Sequence, residues 1–269
     1  MYARVVRWLF ASLLLTTASA HAFCRKTTID PDPTFVPSPS QPCWTEGLPL
    51  FWKDLPVAYS VNEAASSQVS LPETEDTMAL AFSQWTGAMC TPEAKTRLEV
   101  RFDGPTPSRL DAADKTNTVM FDDTTWPHGN AKTTLALTTV TFDTKTGALL
   151  DADLEVNTAN FTLSTTDTVP AGGYDFRSIV THESGHFLGL SHSIDSAATM
   201  FTSYTPGTKS LRTLAQDDVD GICAIYPPNT GCGCTSAPSR ERAPLVASLL
   251  LVVISAWTQR RRRRRHRGG

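Results

Sequence analysis

The stretch VTHESGHFLGLSHS, residues 180–193, constrains this chain more than any other. Three of its six histidines fall between residues 182 and 192. His182 and His186 are four apart, which on a helix stacks both imidazoles on one face within reach of a single ion. Glu183 follows the first histidine and projects beside such an ion rather than onto it, free to accept a proton from a metal-activated water. Gly189 lets the helix stop and the chain reverse through positive φ. That turn returns His192 as a third ligand. Three histidines leave a coordination position open, which separates catalytic zinc sites from closed structural ones. The short H-E-x-x-H pattern is a weak signal alone, but the extended H-E-x-x-H-x-x-G-x-x-H is a specific one.

The rest of the chain reads as an exported protein. Residues 1–22 place Arg4 and Arg7 before the apolar WLFASLLL and the small-residue TTASAHA, a signal-peptide pattern cleaved after Ala20 or Ala22. Residues 243–259 are apolar and of marginal length for a membrane span, and an Arg-rich tail, 260–269, follows. Positive charge there would keep the tail cytoplasmic and the large domain outside. Upstream, 229–242 is a Gly/Cys/Ser linker. Linker, span and arginines together resemble the MYXO-CTERM bacterial sorting signals. These are thought to be cut near the cysteine and passed to the cell surface or released; a permanent anchor is the alternative.

Residues 23–239 hold 13 Lys and Arg against 26 Asp and Glu. Nucleic-acid binding through the terminal arginines would need a basic folded domain, so it is set aside. Six cysteines in an exported chain point to disulfides. With Cys232 and Cys234 assigned to the linker, the favoured pairing is Cys24–Cys43, stapling the proline-rich segment 23–50. Cys90–Cys223 would then tie a first helix to a last one.

Between 51 and 228 the pattern gives strands at 55–62, 98–103 and 117–123 and a helix at 71–88. A hairpin joins TLALTTVTFD to ALLDADLEVN through TKTG, a helix runs up to Gly189, and a short helix spans 214–226. Strands without regular strand–helix alternation argue for an α+β class and one domain, expected to be monomeric.

These motifs resemble the metzincin metalloproteases, and within them the matrixin branch. Met200, eight residues after His192 in SAATMF, resembles the methionine of the Met-turn, and LAQDDVDGI resembles the start of the matrixin terminal helix. The resemblance covers about residues 50–227. It implies a zincin-like domain: a twisted, mostly parallel sheet with one antiparallel edge strand, an active-site helix and a C-terminal helix. It implies one catalytic Zn2+ on His182, His186 and His192, with Glu183 as base and Met200 as a packing residue beneath the metal. Asp217 and Asp218 would tie the last helix to the Met-turn and the chain start. The implied partner is a protein or peptide substrate lying along an edge strand at 134–143. Ca2+ is a candidate second ion near Asp122, Asp123, Asp151 and Asp153, whose plainer reading is solvated loop charge.

Three departures stand out. Ser184 replaces a usual apolar residue, FTSY follows Met200 where many animal members have Tyr-Pro, and no Pro-Arg-Cys-Gly cysteine switch is present. Outside the motif, the signal region and the tail, only His128 remains, too few for the structural zinc of animal matrixins. The rival readings are a non-catalytic zinc-containing surface protein or adhesin, and a membrane-anchored interaction protein with an incidental motif. An intact Glu183 argues against the first of these.

Overall fold

The computed structural model describes residues 23–111 and 114–229. The leader 1–22, the linker from residue 230 with Cys232 and Cys234, the apolar segment 243–259 and the arginine tail lie outside the described residues. Among the described residues no helix is long and apolar enough to cross a membrane.

Five strands build the main sheet: β1 Val57–Asn62, β2 Val100–Thr106, β3 Thr118–Phe121, β4 Ala136–Phe142 and β5 Leu149–Val156. Their order is β2-β1-β3-β5-β4, with every pair parallel except the antiparallel hairpin β4–β5. Central strands of a parallel sheet are covered on both faces, and β1, β3 and β5 are almost wholly buried. The strand expected at 134–143 is thus the antiparallel edge.

Helix α1, Leu71–Thr86, starts where Ser70 and Glu73 exchange side-chain and backbone hydrogen bonds in a capping box. It buries Thr74, Met78, Ala81, Phe82 and Trp85. The Trp85 indole donates to the Thr181 carbonyl (2.9 Å), clamping α1 to α2, Phe176–Phe187. Helix α3, Gln216–Ile225, closes the domain. The last turn of α2 leaves carbonyls without helical partners. Trp52 Nε1 donates to Phe187 O (2.8 Å) and the Tyr226 hydroxyl to Leu188 O (3.0 Å).

The proline-rich segment 23–50 is tied into the domain. Cys24–Arg25 pairs antiparallel with Leu190–Ser191, and Leu50 N donates to Lys26 O. Backbone groups beside the buried turn after α2 need partners, and this segment supplies them. Both expected disulfides form: Cys24–Cys43 and Cys90–Cys223. Cys90 lies in the short strand Met89–Thr91 just past α1, not in the helix itself.

Candidate metal centre and substrate cleft

Asp175 caps α2: its carboxylate accepts from Ser178 N (2.8 Å), and helical geometry then carries His182, Glu183 and His186. The helix ends at Leu188, and Gly189 takes φ +98°. A side chain at Gly189 would also collide, since a Cβ would lie 2.7 Å from Leu50 O. The reversal brings His192 back, so ligand nitrogens of His182, His186 and His192 all lie within 4.8 Å of one another.

The ring nitrogens are oriented by backbone carbonyls. His182 Nδ1 donates to Thr199 O (2.7 Å) and His186 Nδ1 to Leu190 O (3.0 Å), which leaves each Nε2 as the free lone pair. Burial, with the charge of Lys26 and the neighbouring imidazoles, pushes His186 well below the usual histidine range. Burial of the ring, with His182 and Lys26, lowers His192 to about 4 although the residue reaches the rim. Both are therefore neutral, ligand-ready imidazoles at pH 7. His186 Nε2 and His192 Nε2 are 3.2 Å apart. Two nitrogens on a tetrahedral zinc with bonds of about 2.0–2.1 Å are separated by roughly 3.3 Å. The donor set fits zinc.

Met200 lies beneath this helix. A Cβ built on Gly185 would sit 2.2 Å from Met200 Sδ and 2.9 Å from Trp85 Cζ2. Only glycine at that motif position lets the methionine approach. Asp218 fixes the turn from below, accepting from Thr199 N (2.7 Å), Met200 N (3.0 Å) and Ala215 N (2.8 Å). Asp217 accepts from the Ser193 hydroxyl (2.7 Å).

The family model described as Matrixin matches residues 51–227. The chain belongs to the matrixin family. Similar proteins include Matrix metalloproteinase-27 of Tupaia belangeri, 39% identical over 79 residues, which are 29% of this chain and 14% of that one. Metalloendoproteinase 1 of Glycine max is 49% identical over 53 residues, 20% of this chain and 17% of its own. Neutrophil collagenase of Homo sapiens is 38% identical over 86 residues, 32% and 17%. The alignments thus span less than a fifth of each relative's length. Matrixins are zinc-dependent peptidases, in keeping with the three-histidine group here.

In this matrixin a cleft of about 700 Å³ runs over the histidines. Residues 132–138 form its upper side, α2 its floor, and Phe201–Tyr204 with Leu211 its far wall. The FTSY sequence therefore shapes that wall directly. Tyr204 is anchored there, its hydroxyl accepting from Asp175 N (3.2 Å) and donating to Thr208 O. Arg212 braces the same loop, with Nε on Asp175 Oδ2 (2.8 Å) and one guanidinium amine on Oδ1 (2.6 Å). Glu183 is buried at the cleft floor and accepts from the Thr138 hydroxyl (2.7 Å). Ser184, also buried, turns its hydroxyl back to Val180 O (2.6 Å) in place of apolar packing.

The four candidate calcium carboxylates are not brought together. Asp122 pairs with Arg109 (3.1 Å), and Asp123 accepts from Ser66, Ser67 and Thr158. Asp151 and Asp153 are neighbours on one face of β5 and are buried, not solvated. Asp153 accepts from Thr118 N (2.9 Å), whereas Asp151 Oδ1 has no hydrogen-bond partner among the described residues. Burial, with Asp153, Asp114 and Asp111, raises Asp151 to about 7.

Gly185, Thr138 and Arg212 carried no signal in the sequence. Gly185 occupies a variable motif position, Thr138 is one of several threonines in its strand, and Arg212 lies 37 residues from its partner.

Proposed function

We propose that this protein is an exported zinc metalloendopeptidase whose catalytic unit spans residues 51–228. His182, His186 and His192 would hold the ion and Glu183 would act as general base. The observation that carries this reading is the position of Glu183, buried on the cleft floor beside the three histidines and under an edge strand. A carboxylate at that place has no role in a site that only binds.

A zinc ion bound there supplies Lewis-acid activation of a water and of the scissile carbonyl. Glu183 Oε1 or Oε2 takes the proton of the attacking water and delivers it to the leaving amine nitrogen. Thr138 holds the carboxylate in position through its hydroxyl. Leu135 O accepts from Asn157 N toward β5, so by strand alternation the backbone groups of Ala136, Thr138 and Val140 face away from the sheet. They can pair with an extended substrate peptide. Met200 packs beneath the helix and touches no substrate.

The names of the relatives, a matrix metalloproteinase, a metalloendoproteinase and a collagenase, support proteolysis. Two disulfides fit an exported protein. Casein cleavage by the purified full chain, with and without a chelator and beside Glu183→Ala, tests the reading. Chelator-sensitive cleavage lost in the variant, with zinc retained, is expected. Bound zinc with no cleavage would favour the surface-binding alternative. We also propose Asp151 and Asp153 as ligands of a structural Ca2+, since a dication would relieve a buried carboxylate oxygen that has no partner among the described residues.

A further inference from the structure

Lys26 is held over the cleft by its backbone. Its N–H donates to Gly189 O (2.9 Å), its carbonyl accepts from Leu50 N (2.8 Å), and Cys24–Cys43 staples the segment that carries it. Its side chain crosses to β4, where Nζ donates to Thr138 O at 3.4 Å. Among the described residues Nζ has no ion-pair partner. Loss of hydration holds its pKa below the usual lysine range, with Glu183 and Asp30 as the nearby opposing charges. Lys26 is half-buried, and an ammonium whose described contact is one long, neutral hydrogen bond is short of an anion.

Its location gives that shortage a direction. Lys26 lines both the main cleft and a second cavity of about 290 Å³, which also includes Ile29, Trp44, Val140 and Phe142. Thr138 O, the atom Nζ holds, is one of the outward backbone groups on which a substrate strand would pair. A peptide following β4 from the histidines toward Phe142 therefore passes under Lys26. The domain is acidic overall, but here cations gather: Lys132 also lines the main cleft, and Arg25 lines the second cavity beside Lys26 and Asp30.

Resting on the peptidase reading, we propose that Lys26 is a specificity-determining residue. It binds an acidic side chain of the substrate on the Val140–Phe142 side of the scissile bond, and the stapled segment forms the wall that carries it.

The test is kcat/KM of the zinc-loaded full chain on a peptide set that places Asp, Glu, Ala or Lys at each position flanking one cleavage site. Wild type is expected to favour Asp or Glu over Ala at one position by about tenfold or more, as a hydrogen bond to a charged group allows. Lys26→Met should abolish that ratio, and Lys26→Glu should reverse it toward Lys. Equal rates for acidic and alanine peptides at every position in wild type would overturn the proposal. So would an acidic preference that survives in Lys26→Met. A purely structural lysine would slow all peptides alike and leave the ratio intact, which also overturns it. If wild type cleaves no peptide, the peptidase reading itself fails.

Discussion

The Thr138 hydroxyl donates a 2.7 Å hydrogen bond to Glu183 Oε2, joining the edge strand to the carboxylate on the active-site helix. Thr138→Val keeps the shape of the side chain and deletes the donor. Its kcat/KM is expected to fall about tenfold, the worth of one hydrogen bond to a charged group, with zinc content unchanged. Glu183→Gln should fall by about 10²–10⁴, the range of a lost general base. A valine variant as fast as wild type would remove Thr138 from the machinery.

Gly185 is required by Met200. With 2.2 Å between a Cβ and Met200 Sδ, Gly185→Ala forces the methionine or Trp85 to move. Overpacking of this kind costs about 1–3 kcal/mol, visible as a lower Tm. In Gly185→Ala/Met200→Ala the clash with the sulfur is gone and only the approach to Trp85 remains, so the double variant should lose less than the two single losses added together. Strict additivity would show that the two residues do not press on each other.

The Asp175–Arg212 pair braces α2 against the wall of the cleft. Asp175 is fully buried, and its other bond is the helix cap from Ser178 N. Arg212→Met leaves that carboxylate without its cation, and breaking a buried pair costs about 3–5 kcal/mol. Urea unfolding should report a lower midpoint at unchanged slope. A loss under about 1 kcal/mol would show that solvent screens the pair.

Asp151 makes stability depend on pH. Its folded pKa of about 7 lies above the ordinary 3.8, so the folded chain binds this proton more tightly between those values. The contribution is therefore fully present near pH 4 and is lost as pH rises through 7. In chelator, Tm measured relative to Asp151→Asn is expected to fall over that interval, since His186 and His192 titrate alike in both chains. Calcium should raise Tm more at pH 8 than at pH 5, where protons compete for the carboxylates. Asp151→Asn should also remove the calcium shift. A calcium effect of the same size at both pH values, or none, would sink the proposed ion site.

Periodicity carries the hairpin β4–β5 and helices α1 and α2, because alternation and capping are local. Ser70 and Glu73 are three residues apart, and so the start of α1 can be read directly. The three histidines are legible for the same reason: one helix and one glycine turn set their spacing. The acids of DADLEV show the limit. Asp151 and Asp153 read as solvated loop charge or as calcium ligands, yet both, with Glu155, are buried in β5. Thr118 N bonds Asp153, and His128 covers Glu155 at 2.7 Å, contacts made across 35 and 27 residues.

The sequence by itself determined the spacing of the three histidines, the glutamate beside them and the turn that returns His192, since each depends on neighbours within about a dozen residues. Only the tertiary structure decided which threonine holds Glu183, why position 185 must be glycine, and that Lys26 hangs over the cleft. Thr138 and Glu183 are 45 residues apart, and Lys26 and Thr138 are 112 apart. Chain closure over such distances leaves no periodic trace in the sequence.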